Sequence, residues 1–432
     1  MKINLLARWR ADGINLAALT CLQASNAVIP LVIVPFAIAR LGAVAYADVA
    51  IAEAVSMIAV AVVLYSFEVD GVSRITGLSL HRDREALSEI LSSILFARLI
   101  MFTGAAIALL LITAAFTSLP LALVACWLLV PLGHVFHSYW FYQGVEFNIP
   151  PAILTLTARL TSLAAVVIFV HSAADRLLVP LAVGAPFAVA GLASTIYKSH
   201  MLGVKIRWTG ARNVLAYLAH GRRIFVGTAA VMLYREINVL LMGVIGVPAA
   251  AISSYSLVEK SIKMIQAVTR PLNQIAFPKV LLALKPYDRP DRGTLKIVLR
   301  YTAPQVAVVA MVIVGLWVGF DRLAELSPSI AQFRTLPDVT TLFIIAIPAP
   351  LFGLANFVLG SAGLNFLNAQ RYFLGAILTT GAVSVTACLI LSHFFGAVGA
   401  SIAFVGAELT LLLMVLHRYR GHPATTVCGA ES

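Results

Sequence analysis

The stretch SEILSSILFARLIMFTGAAIALLLIT, residues 88–113, decides what kind of chain this is. Apart from Glu89 and Arg98 it carries no charge, and roughly 20 apolar residues in helical form are enough to cross a bilayer. It lacks the short alternating pattern of a membrane barrel strand. Arg98 inside it carries a second message. Charge within a bilayer is costly and is usually held by a partner or a wet cavity.

Runs of this kind recur along the whole length. Of 432 residues, 60% are hydrophobic and only 12% charged. A soluble domain carries about 25% charged residues, so this chain has too few to coat a water-facing surface. The expectation is an all-α polytopic membrane protein. Twelve spans are read near 14–39, 44–67, 88–113, 119–141, 151–171, 178–197, 224–246, 250–275, 301–320, 339–363, 372–392 and 396–417. The basic start, MKINLLARWR, precedes an apolar run as in a signal peptide. That run is long and holds Gln23 and Asn26, so it reads as a retained first helix.

The net charge of +12 is explained by where the charges lie. Of 31 lysines and arginines, 21 fall in the two tails and in alternate loops, and four in the opposite loops. The remaining six (Arg98, Arg159, Arg235, Lys260, Lys263 and Arg270) lie within spans. Cytoplasmic loops carry the excess of basic residues, so both termini are expected inside. This distribution argues against nucleic acid as a partner. The longest basic loop, residues 198–223, divides the chain into lobes 1–197 and 224–417, with a cytoplasmic tail at 418–432. The halves echo each other: RLGAVAYADVAIAEAVSMI (40–58) and VIGVPAAAISSYSLVEKSIKMI (244–265) each have a glycine turn, small residues and then a glutamate. Repeated halves are a common build of secondary transporters.

By helical rise, Arg159, Arg235, Lys260 and Lys263 fall near the bilayer midplane, with Arg98 nearer the cytoplasmic side. The acids at similar depth are Glu53, Glu236, Glu259 and Glu408. One reading makes these structural ion pairs. The sharper one is a wet cationic cavity for an anionic substrate, since five cations face four acids and cluster in spans 3, 5, 7 and 8. Arginine suits phosphate because its planar fork donates two parallel hydrogen bonds.

Other candidates carry less. His134 and His137 share a helix face at i, i+3, but no Cys, Asp or Glu nearby completes a metal set, so packing or polar lining is the better reading. Cys21, Cys126, Cys388 and Cys428 suggest no disulfide framework. No phosphate-binding glycine loop or hydrolase motif occurs, so neither cofactor nor catalytic residue is expected, and transport would be driven by an ion or the substrate gradient. Prolines interrupt the first, sixth and tenth spans (Pro30, Pro35, Pro180, Pro186, Pro348, Pro350). In SYWFYQGVEF (138–147), Tyr139, Trp140 and Tyr142 are expected in an interfacial aromatic belt, Gly144 at the turn, and Pro150 and Pro151 at the start of the next helix.

Four of these stretches together resemble the polysaccharide biosynthesis (O-antigen and exopolysaccharide) flippases of the multidrug/oligosaccharidyl-lipid/polysaccharide exporter superfamily. They are PFAIARLGAVAYADVAIAEAV (35–55), SFEVDGVSRITGLSLHRDREALSEIL (66–91), WFYQGVEF (140–147) and the segment from Arg235 to Val280. The resemblance implies two six-helix lobes that open alternately to either side of a bacterial inner membrane. The implied substrate is a polyprenyl-diphosphate-linked oligosaccharide, with membrane lipids, a glycan polymerase and export machinery as partners. Arg98, Arg159, Arg235 and Lys263 are the expected cavity cations, and Glu53, Glu259 and Glu408 the candidates for ion coupling. These assignments come from depth and charge. Gln143 and Glu146 are explained by resemblance alone, and a loop-holding role is favoured.

Three rivals stand beside this. A drug or metabolite exporter on the same scaffold would carry net acid in its cavity if its cargo were cationic. A glycan polymerase or ligase would need a large outer loop, whereas the longest here, 321–338, is short. A non-transporting scaffold would leave the buried cations without a purpose.

Overall fold

The structure, a computed structural model, describes residues 2–326 and 336–420. Cys428 and the stretch 327–335 of the longest outer loop lie outside the described residues, as does the side chain of Arg270. Among the described residues there is helix and no strand. The chain divides into two compact units, Met1–Met232 and Leu233–Ser432.

The first unit contains α1 (Lys2–Leu41), α2 (Ala43–Leu64), α3 (Phe67–Ile75), α4 (Arg84–Phe116), α5 (Leu121–Trp127), α6 (Leu129–Phe136), α7 (Tyr139–Gly144), α8 (Ile149–Phe169) and α9 (Leu178–His200). The helix α10 (Ala211–Glu236) then runs on into the second unit, and there α11 (Asn238–Val244), α12 (Ala249–Leu284) and α13 (Arg292–Leu326) follow. After the outer loop come α14 (Val339–Ala346), α15 (Ala349–Asn356), a π-helical stretch Phe357–Leu364 and α16 (Gln370–Arg420).

Every one of the twelve expected spans is helical. Nine helical runs among the described residues are long and apolar enough to cross a membrane, and α10 with α11 makes a tenth, bent by 60°. The eighth span is α12, whose polar residues mask its hydropathy. The eleventh and twelfth are the two parts of α16, separated where Gly396 takes φ 56° and ψ −133°. Pro30 and Pro35 sit within a continuous α1, whereas Pro348 separates α14 from α15. The echo between the halves has a backbone counterpart. Gly42 and Gly246 stand before α2 and α12 with φ 77° and 76°, a left-handed conformation glycine adopts without a Cβ penalty.

The aromatic element departs from its expected place. Trp140, Phe141 and Tyr142 are each fully buried, packed with Phe67, Ile75, Leu87, Leu91 and Ile94. They form a core beneath the α3–α4 connection and not an interfacial belt. Two glycines make the approach possible: a Cβ on Gly71 would lie 2.6 Å from the Trp140 ring, and one on Gly144 would overlap the Ile75 side chain. Gly144 therefore serves close packing, and the left-handed residue of the turn is Glu146, with φ 56°. The turn closes as a Schellman motif, Phe147 N–H donating to Tyr142 O and Glu146 N–H to Gln143 O. Asn15 of α1 pins it, donating to Glu146 O at 2.6 Å and accepting from Asn148 N–H at 3.1 Å. Pro150 follows at the start of α8, as the sequence suggested.

The basic segment 198–223 is no free tether. Its backbone is laid along a row of α4 serines. Lys205 N–H donates to Ser88 Oγ and Arg207 N–H to Ser92 Oγ, each at 3.0 Å, and the Ser93 hydroxyl donates to Thr209 Oγ1 at 2.9 Å. Val204 and Val214 are buried in the same core as Trp140.

Candidate functional site

The intramembrane charges gather into one cluster in each unit. In the first, Arg98 of α4 is fully buried, and its Nη2 donates to Glu68 Oε1 of α3 at 2.7 Å. Its Nη1 donates to the carbonyls of His134 and His137, at 3.2 and 3.1 Å. Those carbonyls end α6, where helix geometry leaves them without partners, and a cation there also meets the negative end of the helix dipole. Arg98 thus closes a helix end and joins three elements.

Arg159, on α8, is held differently. Its Nε donates to Asn26 Oδ1 of α1 at 3.0 Å, and the guanidinium lies 4.8 Å from the centre of the Phe187 ring of α9. Among the described residues it makes no ion pair with a carboxylate. The residue is half-buried. The same ring stacks on His137, whose Nε2 lies 3.0 Å from Phe187 O. The two histidines therefore pack helices and present carbonyls. Glu53 of α2 is half-buried and has a polar partner of its own.

The second unit builds its cluster where α10 breaks into α11. Arg235 Nη2 donates to Glu408 Oε1 of α16 at 2.7 Å. Glu408 is fully buried and also accepts from Asn356 Nδ2, at 2.9 Å to both its Oε2 and its backbone oxygen. Asn356 is the last residue of α15, just before the π-helical stretch, a conformation frequent at functional sites. The neighbouring Glu236 accepts from Lys263 Nζ of α12 at 2.8 Å, and Lys263 also lies 3.4 Å from Glu259. Arg235 and Lys263 stay about a third and a quarter exposed, at 32% and 25%. Lys260 is half-buried and has a partner. Gly353 keeps this cluster open: a Cβ there would lie 3.0 Å from Gln266 Nε2 and 3.4 Å from Arg235 Nη2.

Sequence depth alone missed three members. Glu68 was outside the span boundary, Asn356 is uncharged, and Lys198 was counted among loop lysines. Lys198 is in fact fully buried, its Nζ 3.4 Å from Ser194 Oγ and 5.3 Å from the Tyr142 ring centre. The i, i+4 spacing of Ser194 and Lys198 at the end of the sixth span was the available signal.

Residues 13–280 match the family model described as "Polysaccharide biosynthesis protein". An Escherichia coli (strain K12) protein named "Putative O-antigen transporter" is 22% identical over 405 residues, covering 93% of this chain and 95% of that one. Among solved structures, an inward-facing multidrug resistance MATE family transporter aligns with a TM-score of 0.64 at 14% identity, over 93% of this chain and 96% of that one. The lipid II flippase MurJ in an inward closed conformation aligns at 0.60 and 13% identity, over 96% and 87%. At such identities the two structures speak to the fold, a two-lobed bundle of twelve spans. The family match covers more than half of the chain and identifies it: this protein belongs to the polysaccharide biosynthesis protein family.

Proposed function

We propose that this protein is a flippase that moves a polyprenyl-diphosphate-linked oligosaccharide from the cytoplasmic to the outer leaflet by alternating access of its two lobes. The membrane is the inner membrane of a bacterium, with both termini cytoplasmic. The observation that carries the reading is Arg159: a cation within the spans, oriented by Asn26 and Phe187, half-buried and without a carboxylate partner among the described residues. Such a group is prepared to donate a pair of charge-assisted hydrogen bonds to a phosphate. Arg235 and Lys263, partly exposed beside their glutamates, exchange those partners for substrate phosphate oxygens during the cycle. Arg98, sealed by Glu68 and two carbonyls, holds α3, α4 and α6 together beside this site. Glu53, Glu259 and Glu408 remain the groups for ion coupling, with Glu408 released when Arg235 turns to substrate.

Two measurements test this. Deleting the protein, in a strain without a redundant transporter, should make lipid-linked repeat units accumulate on the cytoplasmic leaflet; normal appearance outside would sink the flippase reading. Arg159→Glu should reduce export at least about a hundredfold, the range expected for losing a charged hydrogen-bonded contact, while membrane insertion stays normal. If that variant exports normally, Arg159 does not touch the diphosphate.

A further inference from the structure

One basic cluster is left unused by the transport reading. A cavity of about 410 Å³ at one end of the second unit is lined by Arg292, Leu295, Lys296 and Leu299 of α13 and by Arg420, the last residue of α16. Arg292 and Lys296 stand at i, i+4 and share a face, so the three cations converge from segments far apart in sequence. All three are exposed, and among the described residues none makes an ion pair with a carboxylate. The adjacent acid, Asp291, is buried, with its Oδ1 accepting from Thr294 N–H at 2.7 Å. The cluster also has an apolar component: Leu299 is 42% exposed.

We infer that this cavity binds the headgroup phosphate of an anionic phospholipid of the surrounding leaflet. Arg292 begins the helix of the ninth span and Arg420 ends the helix of the twelfth, so both lie at the membrane boundary, on the side that carries most of the basic residues. Juxtamembrane clusters of lysine and arginine are drawn to anionic lipid surfaces. The two leucines suit the glycerol and upper acyl chain below such a headgroup, and a soluble anion would have no use for them. Charge complementarity and the apolar floor together select a lipid. The inference is independent of what the protein transports.

The test uses the full chain in detergent, loaded with phosphatidylglycerol or with phosphatidylcholine, with retained lipid counted by native mass spectrometry. Wild type should retain phosphatidylglycerol in preference. The R292Q/K296Q/R420Q variant should lower that retention at least about tenfold, since each such residue contributes severalfold at an anionic surface. A control in the first unit, R82Q/K205Q/R212Q, should change it less than twofold, and the charge-conserving R292K/K296R/R420K should keep it, which separates lost charge from lost folding. Equal retention of the two lipids would overturn the inference, as would unchanged phosphatidylglycerol in the neutralised variant. So would complete displacement of the lipid by inorganic phosphate, which would make this a site for a soluble anion.

Discussion

The two charged clusters bury opposite partners. In the first unit the cation is sealed and the acid is partly wet: the Arg98 side chain is 0% exposed and Glu68 33%. In the second the order is reversed, with Glu408 at 0% and Arg235 at 32%. The difference follows from what else each buried group can bond. Arg98 meets two carbonyls at the end of α6, which accept and cannot donate. Glu408 meets the Asn356 amide, which donates. A cation that reaches water can leave its partner for a substrate anion. One that is sealed among carbonyls cannot do so without opening the bundle. The first arrangement suits a fixed wall and the second a group that moves.

The largest effect expected is from removing the exposed partner in each cluster. Glu68→Ala should cost about 3–5 kcal/mol of stability, because it strands a buried charge. Arginine has no means of shedding that charge. Arg235→Ala should cost about 1–3 kcal/mol less, because Asn356 still donates to the carboxylate left behind. Thermal unfolding in detergent ranks the two. If Arg235→Ala is the more damaging, the contrast between wall and moving group is wrong.

A smaller effect tests rigidity. Gly71→Ala, three residues from Glu68 on α3, places a Cβ 2.6 Å from a fully buried tryptophan ring, and overpacking of that kind costs about 1–3 kcal/mol. Gly353→Ala meets the flexible ends of Gln266 and Arg235, at 3.0 and 3.4 Å, and should cost under about 1 kcal/mol. Similar losses at both sites, measured by the same unfolding assay, would show that the second cluster is as tightly built as the first.

The smallest difference concerns the arginine fork. Arg98→Lys cannot serve Glu68 and both carbonyls at once, and should lose about 1 kcal/mol for a hydrogen bond given up. Arg235 uses one nitrogen on Glu408, so Arg235→Lys should be close to neutral for stability. Its export rate is the sharper readout. A rate unchanged by Arg235→Lys would mean that any phosphate contact there needs only a point charge.

Much of the fold was legible because a bilayer imposes length and polarity on each span, one residue at a time. Residues 88–113 became α4, and even the kinked α16 was read as two spans from its composition. Among the described residues, the exceptions are places where one segment depends on another. Tyr139, Trp140 and Tyr142 have the composition of an interfacial belt. Only contact with Gly71 and Ile75 puts Trp140 and its neighbours in a core. The glycine expected at their turn was needed for packing, and Glu146 took the left-handed backbone position.

The candidate site divides along the same line. The sequence by itself determined that the chain carries helices long and apolar enough to cross a membrane, and which charges lie within them, since hydropathy and charge are properties of single segments. Tertiary structure alone decided that Arg98 is bonded internally, that Arg235 faces a sealed Glu408, and that Arg159 makes no ion pair with a carboxylate among the described residues. Partners separated by 30 to 173 positions, as Glu68 from Arg98 and Arg235 from Glu408, are matched by folding. No local pattern records which two charges will meet.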